Sequence, residues 1–229
     1  MILLTISQSA EEMIAAVKLI LRLATNPIFL TQYRLEKAME KVLAPVIAKG
    51  GKCLDVGCGE RPYEKFFIKN QYIGIDVETS GRSREMKRAD LYYDGKIIPF
   101  ENGTFDIVMA TQVFEHVQDP KALLIEMVRV CKPEGEVVIS LPFFFQEHEE
   151  PYDFLRFTKF GVMELFNKSG MEIVDIQKDS SGIDTLVIAI NSYIFSNLII
   201  PIKGMGRLYS LFFCFPLQLL AMIMSQVLP

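Results

Sequence analysis

Residues 52–63 read Lys-Cys-Leu-Asp-Val-Gly-Cys-Gly-Glu-Arg-Pro-Tyr, and this stretch decides the fold. The apolar run Cys53, Leu54 and Val56 predicts a buried strand that carries one acid, Asp55, near its end. Gly57 and Gly59 follow at once, giving a sharp turn where the backbone can approach a ligand that a side chain would keep away. The turn is expected to open a helix. Strand, glycine turn and helix in that order form the entry of a nucleotide-type cofactor site in an α/β sheet. A dinucleotide fingerprint requires a third glycine at position 62, where the chain has Pro62. No Gly-Lys-Ser/Thr follows, so a phosphate loop is excluded as well.

Working outward, Tyr72–Asp76 is a second apolar strand ending in an acid, about twenty residues after the first, where doubly wound folds place an acceptor for ribose hydroxyls. Ala-Asp-Leu (89–91) comes next. The Asn-Gly turn at 102–103 precedes a buried strand, 105–110, whose C-terminal end delivers Thr111 to His116. Asp119-Pro120 starts a helix over 120–131, with aspartate as cap and proline in the first turn. Lys132-Pro-Glu-Gly is a turn into a strand at Glu136–Leu141. Thr158 is expected to cap a helix over 159–169. Strands alternating with helices imply a mostly parallel sheet.

The Asp-x-Gly-x-Gly pattern of Asp55, Gly57 and Gly59 resembles motif I of the class I S-adenosylmethionine-dependent methyltransferases, and the stations from about residue 50 to 180 are similar to that family in order and spacing. The resemblance implies a Rossmann-like, doubly wound α/β fold. It also implies S-adenosyl-L-methionine as donor, with S-adenosyl-L-homocysteine as product. Gly57 and Gly59 would line the methionine end with Asp55 nearby, and Asp76 would hold the ribose. Asp90 would take the adenine amino group, Leu91 the adenine edge, and Thr111 with Gln112 would sit under the sulfonium. Arg61 stands where the family's third glycine is usual, either reaching the cofactor carboxylate or lying on the surface. Pro62-Tyr63, with His148-x-x-Pro-x-Asp-x-x-Arg-Phe-Thr158, resembles a branch often encoded beside cell-envelope and glycan biosynthesis genes. The acceptor implied is a small molecule, a glycan or a lipid-linked compound. The Asn/Asp-Pro-Pro-Phe/Tyr motif of amino-methylating relatives is missing, which favours oxygen or carbon as the accepting atom.

His148, set among acids that would raise its pKa, and His116 are the candidates to take a proton from a hydroxyl acceptor. The plain alternative for His116 is that a Glu-His pair stitches its loop to a neighbour. Asp153 and Arg156 are spaced for a structural ion pair. His116, Glu147, His148, Glu149 and Asp153 lack a defined ligand spacing, so no metal is expected.

Composition bounds the partners. Net charge is −4 over 229 residues with no long Lys/Arg run, which disfavours nucleic acid. Cys53, Cys58, Cys131 and Cys214 show neither metal spacing nor a disulfide framework, and read as buried thiols of a cytoplasmic protein. Glu11 and Glu12 interrupt the N-terminal apolar run, against a signal peptide. Three segments follow: residues 1–50 with helices near 9–24 and 31–48 covering the cofactor site, a core over 51–182, and an apolar helical segment over 183–229. From Ile183 onward the only charges are Asp184, Lys203 and Arg207, yet Pro201 and Pro216 break any run of about 20 apolar residues needed for a membrane span. That segment suits packing over the acceptor pocket, a homodimer interface, or a surface that dips into a bilayer, making the protein peripheral to the membrane. The family's sheet closes with a strand after Glu172–Lys178; 186–190 is expected to be helical instead. A non-catalytic, membrane-associated module that keeps the fold is the main rival to an enzyme, with a nucleotide-dependent oxidoreductase third.

Overall fold

The computed structural model describes residues 13, 17–18, 26, 28–169, 171–194 and 209–225. The chain forms two compact units, one of residues 39–176 and one of residues 1–38 with 177–229. Residues 39–50 thus group with the core segment, and 177–182 with the C-terminal one. The expected helix at 9–24 lies largely outside the described residues. The second is α1, Phe29–Ala48.

The larger unit is built on five parallel strands: β1 Lys52–Val56, β2 Gln71–Val77, β3 Leu91–Tyr93, β4 Phe105–Thr111 and β5 Cys131–Ser140. Their order is β3-β2-β1-β4-β5. β1 and β4 are buried almost throughout, as strands covered on both faces must be, and this explains their continuous apolar runs. The chain winds outward from β1 to β3 and then returns to place β4 on the other side of β1. That reversal opens a crevice beyond the C-terminal ends of β1 and β4. Leu54, Val56, Phe105 and Val108 from the strands pack with Leu124 and Met127 of helix α2, Pro120–Val130.

Helix α2 starts as the sequence requires: Asp119 accepts from the Ala122 N–H at 3.0 Å and Pro120 fills the first turn. The following strand begins at Cys131, five residues earlier than expected. Its register jumps from Phe105–Cys131 to Ile107–Glu136, so Lys132–Gly135 bulges out within the strand rather than preceding it.

The helix expected after the glycine turn is corrected. Between β1 and β2 the chain forms only a 3₁₀ turn, Glu64–Phe66. Fourteen residues connect the two strands there, and Arg61, at φ 60°, takes the chain off the right-handed helical path directly after the glycines. After β5 comes α3, Lys159–Asn167, capped by Thr158, whose Oγ1 accepts from Gly161 N at 3.1 Å. Residues 172–178 are not in a strand.

The smaller unit contains α4, Gly182–Ile194, which takes up 186–190 in a helix, and α5, Phe215–Met224, preceded by a π turn at Ser210–Cys214. Its apolar helices are held by a few buried polar groups. Ser181 and Asp184 cap α4 reciprocally, and Arg34 pairs with Asp184 at 3.3 Å. The buried Gln218 accepts from Leu30 N at 2.8 Å and donates to Asn26 O at 3.0 Å. Leu186, Phe212 and Phe213 are each more than half exposed. Among the described residues no helix is long and apolar enough to cross a membrane.

Candidate active site

The glycine turn is shaped by close approach. Gly57 has φ 71° and donates to Ile75 O at 2.8 Å; a Cβ on it would lie 2.6 Å from Val113 Cγ2, at the exit of β4. Gly59, at φ 49°, donates to Asp76 Oδ2 at 3.0 Å. The acid at the end of β2 therefore fixes the turn at the end of β1. Asp76 also accepts from Val77 N at 2.8 Å and faces the buried Lys87 ammonium at 3.3 Å, so its charge is compensated.

Asp55 is buried in mid-sheet and receives the Tyr72 hydroxyl. Burial pushes its carboxyl up to about 7, against the pull of the Tyr72 bond and the Arg61 charge. Its other oxygen has no partner among the described residues.

Arg61 is turned inward rather than outward: it bonds Asp90 Oδ1 at 3.0 Å, pairs with Glu64 at 3.3 Å and lies 4.8 Å above the Tyr72 ring. Asp90 precedes β3, with its second oxygen on Gly74 N at 2.8 Å, and Leu91 is the first residue of that strand. The acid at the C-terminal end of β3 is Asp94, which the sequence reading missed. A cleft of about 490 Å³ lies there, lined by Val77, Glu78, Thr79, Tyr92, Tyr93 and Asp94, a size usual for small-molecule sites. Asp94 accepts from Lys96 N and Ile97 N, which hold its carboxyl below the ordinary range. The signal for it was Asp94-Gly95 directly after Leu-Tyr-Tyr, a turn pair closing a strand.

Thr111 ends β4 with its hydroxyl buried and unpartnered among the described residues. Gln112 follows at φ 54°, a strained angle for a side-chain-bearing residue, and donates to Ser140 Oγ at 3.2 Å.

The next turn, Phe114–His116, meets the loop after β5. Phe154 N donates to the Glu115 carbonyl at 2.8 Å, and His116 Nδ1 contacts Tyr152 O at 2.7 Å. The Glu-His pair does stitch the loop, and it also brings His116 edge-on to His148, ring centres 4.8 Å apart. Arg156 locks the same loop, making two bonds to Asp153 at 2.6 and 2.7 Å and further bonds to Phe145 O and Gln146 O. His148 is corrected in one respect: desolvation first, then the neighbouring His116, lower its pKa, and Asp153 does not reverse this. Glu115 is fully buried with neither carboxylate oxygen hydrogen-bonded among the described residues, and burial pushes it up to about 7.

A family model described as "Methyltransferase domain" matches residues 30–173, more than half of the chain. The chain belongs to the methyltransferase domain family. A ubiquinone biosynthesis O-methyltransferase of Thiobacillus denitrificans is 30% identical over 107 residues, 40% of this chain and 44% of that enzyme. A phosphatidylethanolamine N-methyltransferase of Cereibacter sphaeroides is 31% identical over 115 residues, 45% of this chain and 57% of that enzyme. The methyltransferase domain thus spans about half the length of these curated relatives, and their names differ in the atom methylated. The solved structure of the [4+2]-cyclase SpnF overlays with a TM-score of 0.52 at 20% identity, covering 76% of this chain and 75% of the cyclase, a likeness of fold alone.

Proposed function

We propose that this methyltransferase domain moves a methyl group from S-adenosyl-L-methionine to the oxygen or carbon of a small-molecule, glycan or lipid-linked acceptor, releasing S-adenosyl-L-homocysteine. The observation that carries this reading is the Gly59–Asp76 bond, which holds an open glycine turn beside the crevice at the β1/β4 switch point. The buried, unpartnered Thr111 hydroxyl at the same edge fits a polar ligand there. Gly57 and Gly59 would cradle the amino-acid end and Asp76 the ribose, with Asp94, in place of Asp90, at the adenosine end of the cleft. Asp55 braces the sheet beneath the turn, and Thr111 with Gln112 would face the reacting sulfur.

When bound, S-adenosylmethionine supplies a methyl group already activated by a sulfonium. The protein then has to align the acceptor and exclude water; alignment alone is worth roughly 7–11 kcal/mol of barrier. His148 or His116 handles the acceptor's proton. The lowered pKa of His148 keeps its ring neutral and able to accept one near neutral pH.

Titration calorimetry of the intact protein with S-adenosylhomocysteine and with NAD tests the donor. Binding of the first and not the second is expected; NAD binding would revive an oxidoreductase, and no binding of either leaves the non-catalytic module. The exposed Leu186, Phe212 and Phe213 favour a reaction at the cytoplasmic membrane surface on a lipid-linked acceptor. Flotation with anionic liposomes checks it, and protein that stays in the dense fractions defeats that part.

A further inference from the structure

We infer that Glu115, His116 and His148 form a binding site for one divalent late first-row transition ion of the zinc class, with a coordination position left for the acceptor. The inference deepens the methyl-transfer reading by naming the group that acidifies the acceptor, and it rests on that reading for its chemistry.

One carboxylate oxygen of Glu115 and one ring nitrogen from each histidine lie within 4.8 Å of one another. Glu115 has no exposed surface, and neither oxygen has a hydrogen-bond partner among the described residues. A buried carboxylate without a partner is costly, and protonating it only shifts the need to an acceptor for its proton. His116 Nε2 is the nearest ring nitrogen, at 3.9 Å from Glu115 Oε1, too far for a hydrogen bond. A cation between them removes the cost.

Each ring has an Nδ1 contact of the kind that metal-binding imidazoles make. His116 Nδ1 is anchored on the Tyr152 carbonyl at 2.7 Å. His148 Nδ1 lies 3.2 Å from both the Gln146 carbonyl and Asp153 Oδ2. These acceptors assign the proton to Nδ1 in each ring and leave Nε2 with its electron pair, the tautomer that second-shell carbonyls and carboxylates impose on metal-binding imidazoles. The surrounding charges leave room for a cation. Arg156 is bonded to Asp153, although its charge also reaches Glu115, and Arg82 is bonded to one oxygen of Glu149, whose other oxygen stands 4.0 Å from His116 Nε2.

Two imidazoles and one carboxylate exclude a site designed for magnesium or calcium, which take oxygen ligands, and suit zinc or its neighbours. Ligand bonds of about 2.0–2.2 Å require the three groups to draw together slightly on binding. Three protein ligands leave a position open, the mark of a catalytic rather than a structural ion. An acceptor hydroxyl bound there loses its proton to solvent, because the ion stabilises the oxyanion. The new O–C bond then forms as the S–C bond of the sulfonium donor breaks, with that electron pair remaining on sulfur. The ion's oxidation state does not change; with the ion bound, the two rings serve as its ligands, and this replaces the proton-accepting role proposed above for the metal-free histidines.

Chelator-stripped full-length protein titrated with Co²⁺ and followed by visible absorption tests the site. One equivalent should give d–d bands, which Zn²⁺ abolishes and Mg²⁺ does not. His148→Ala and His116→Ala should each weaken Co²⁺ at least about tenfold, while calorimetry with S-adenosylhomocysteine stays within about twofold. Absence of bands in the wild-type protein at submillimolar Co²⁺ overturns the inference. So do bands that survive in both variants; if His116→Ala fails to fold, His148→Ala, on a part-exposed loop residue, decides alone. Cobalt bands without S-adenosylhomocysteine binding would sink the donor reading and leave the metal site standing.

Discussion

Asp55 and Glu115 are both buried carboxylates pushed up to about 7 by desolvation, yet they sit in opposite surroundings. Asp55 receives the Tyr72 hydroxyl and feels the Arg61 charge, within a region where Asp76 and Asp90 are likewise tied to backbone N–H groups. Glu115 feels the Arg156 charge but has no hydrogen bond to either oxygen among the described residues, and two histidines stand beside it. The half of the site around β1–β3 is closed on itself and can be rigid before any ligand arrives. The half around the exits of β4 and β5 is fixed through backbone stitches, while its side-chain ends stay chemically available. Preorganisation and reactivity are thus divided between two regions of one sheet edge.

The sharpest way to break this comparison is Gly57→Ala. The added carbon would meet Val113 at 2.6 Å on a backbone at φ 71°. We expect a loss of about 1–3 kcal/mol in stability and, by calorimetry, more than about tenfold in affinity for S-adenosylhomocysteine. Gly50→Ala is the control: it shares the positive φ, at 78°, but its added carbon meets nothing within 4 Å. Wild-type binding by Gly57→Ala would show that the turn is not the rigid element.

Arg156→Lys comes next. It keeps the charge but forfeits the two-pronged grip on Asp153 and the bonds to the Phe145 and Gln146 carbonyls, at about 1–2 kcal/mol in urea unfolding. Arg156 holds Asp153 well below the usual carboxylate range. The stability this confers is present above the unfolded value near 4 and fades as pH falls below it. The variant should lose part of that acid sensitivity while binding S-adenosylhomocysteine normally. A fall in donor affinity would mean that the two regions are mechanically coupled.

Glu115→Gln should have the smallest effect, and the sign is opposite. With a folded pKa raised to about 7, the folded state holds a proton that the unfolded chain releases near 4.3, so stability falls as pH rises between these values. Chelator-treated wild type should lose about 1–2 kcal/mol more than the variant from pH 5 to pH 8. Parallel curves would show that the carboxylate is compensated after all.

What could be read from the chain beforehand follows from the range of the forces involved. β4, the Asp119-Pro120 cap of α2 and the Thr158 cap of α3 depend on neighbours within a few residues, and they fall within a residue or two of their expected places. β3 is three residues long, too short for a period to register, so neither the strand nor Asp94, the acid that follows it, was read from the sequence. The helix expected after Gly59 failed because Arg61 stands at positive φ, a conformation that a residue with a side chain does not announce in the sequence. The pKa of His148 was misjudged because Glu147, Glu149 and Asp153 are close in sequence, whereas His116 and burial act through space.

By itself the sequence determined the glycine turn, the alternation of strands and helices, and hence a parallel sheet with its crevice at the β1/β4 ends, because glycine conformation and hydrophobic period are local properties. Only the tertiary structure decided which acid stands at the exit of β3, and that Glu115 and His116 meet His148 across thirty-two residues of chain. The Glu-His pair and the Asp153–Arg156 spacing hinted at the loop stitches behind that meeting, but the backbone carbonyls that receive them carry no residue identity, so the sequence could not say which loops they join.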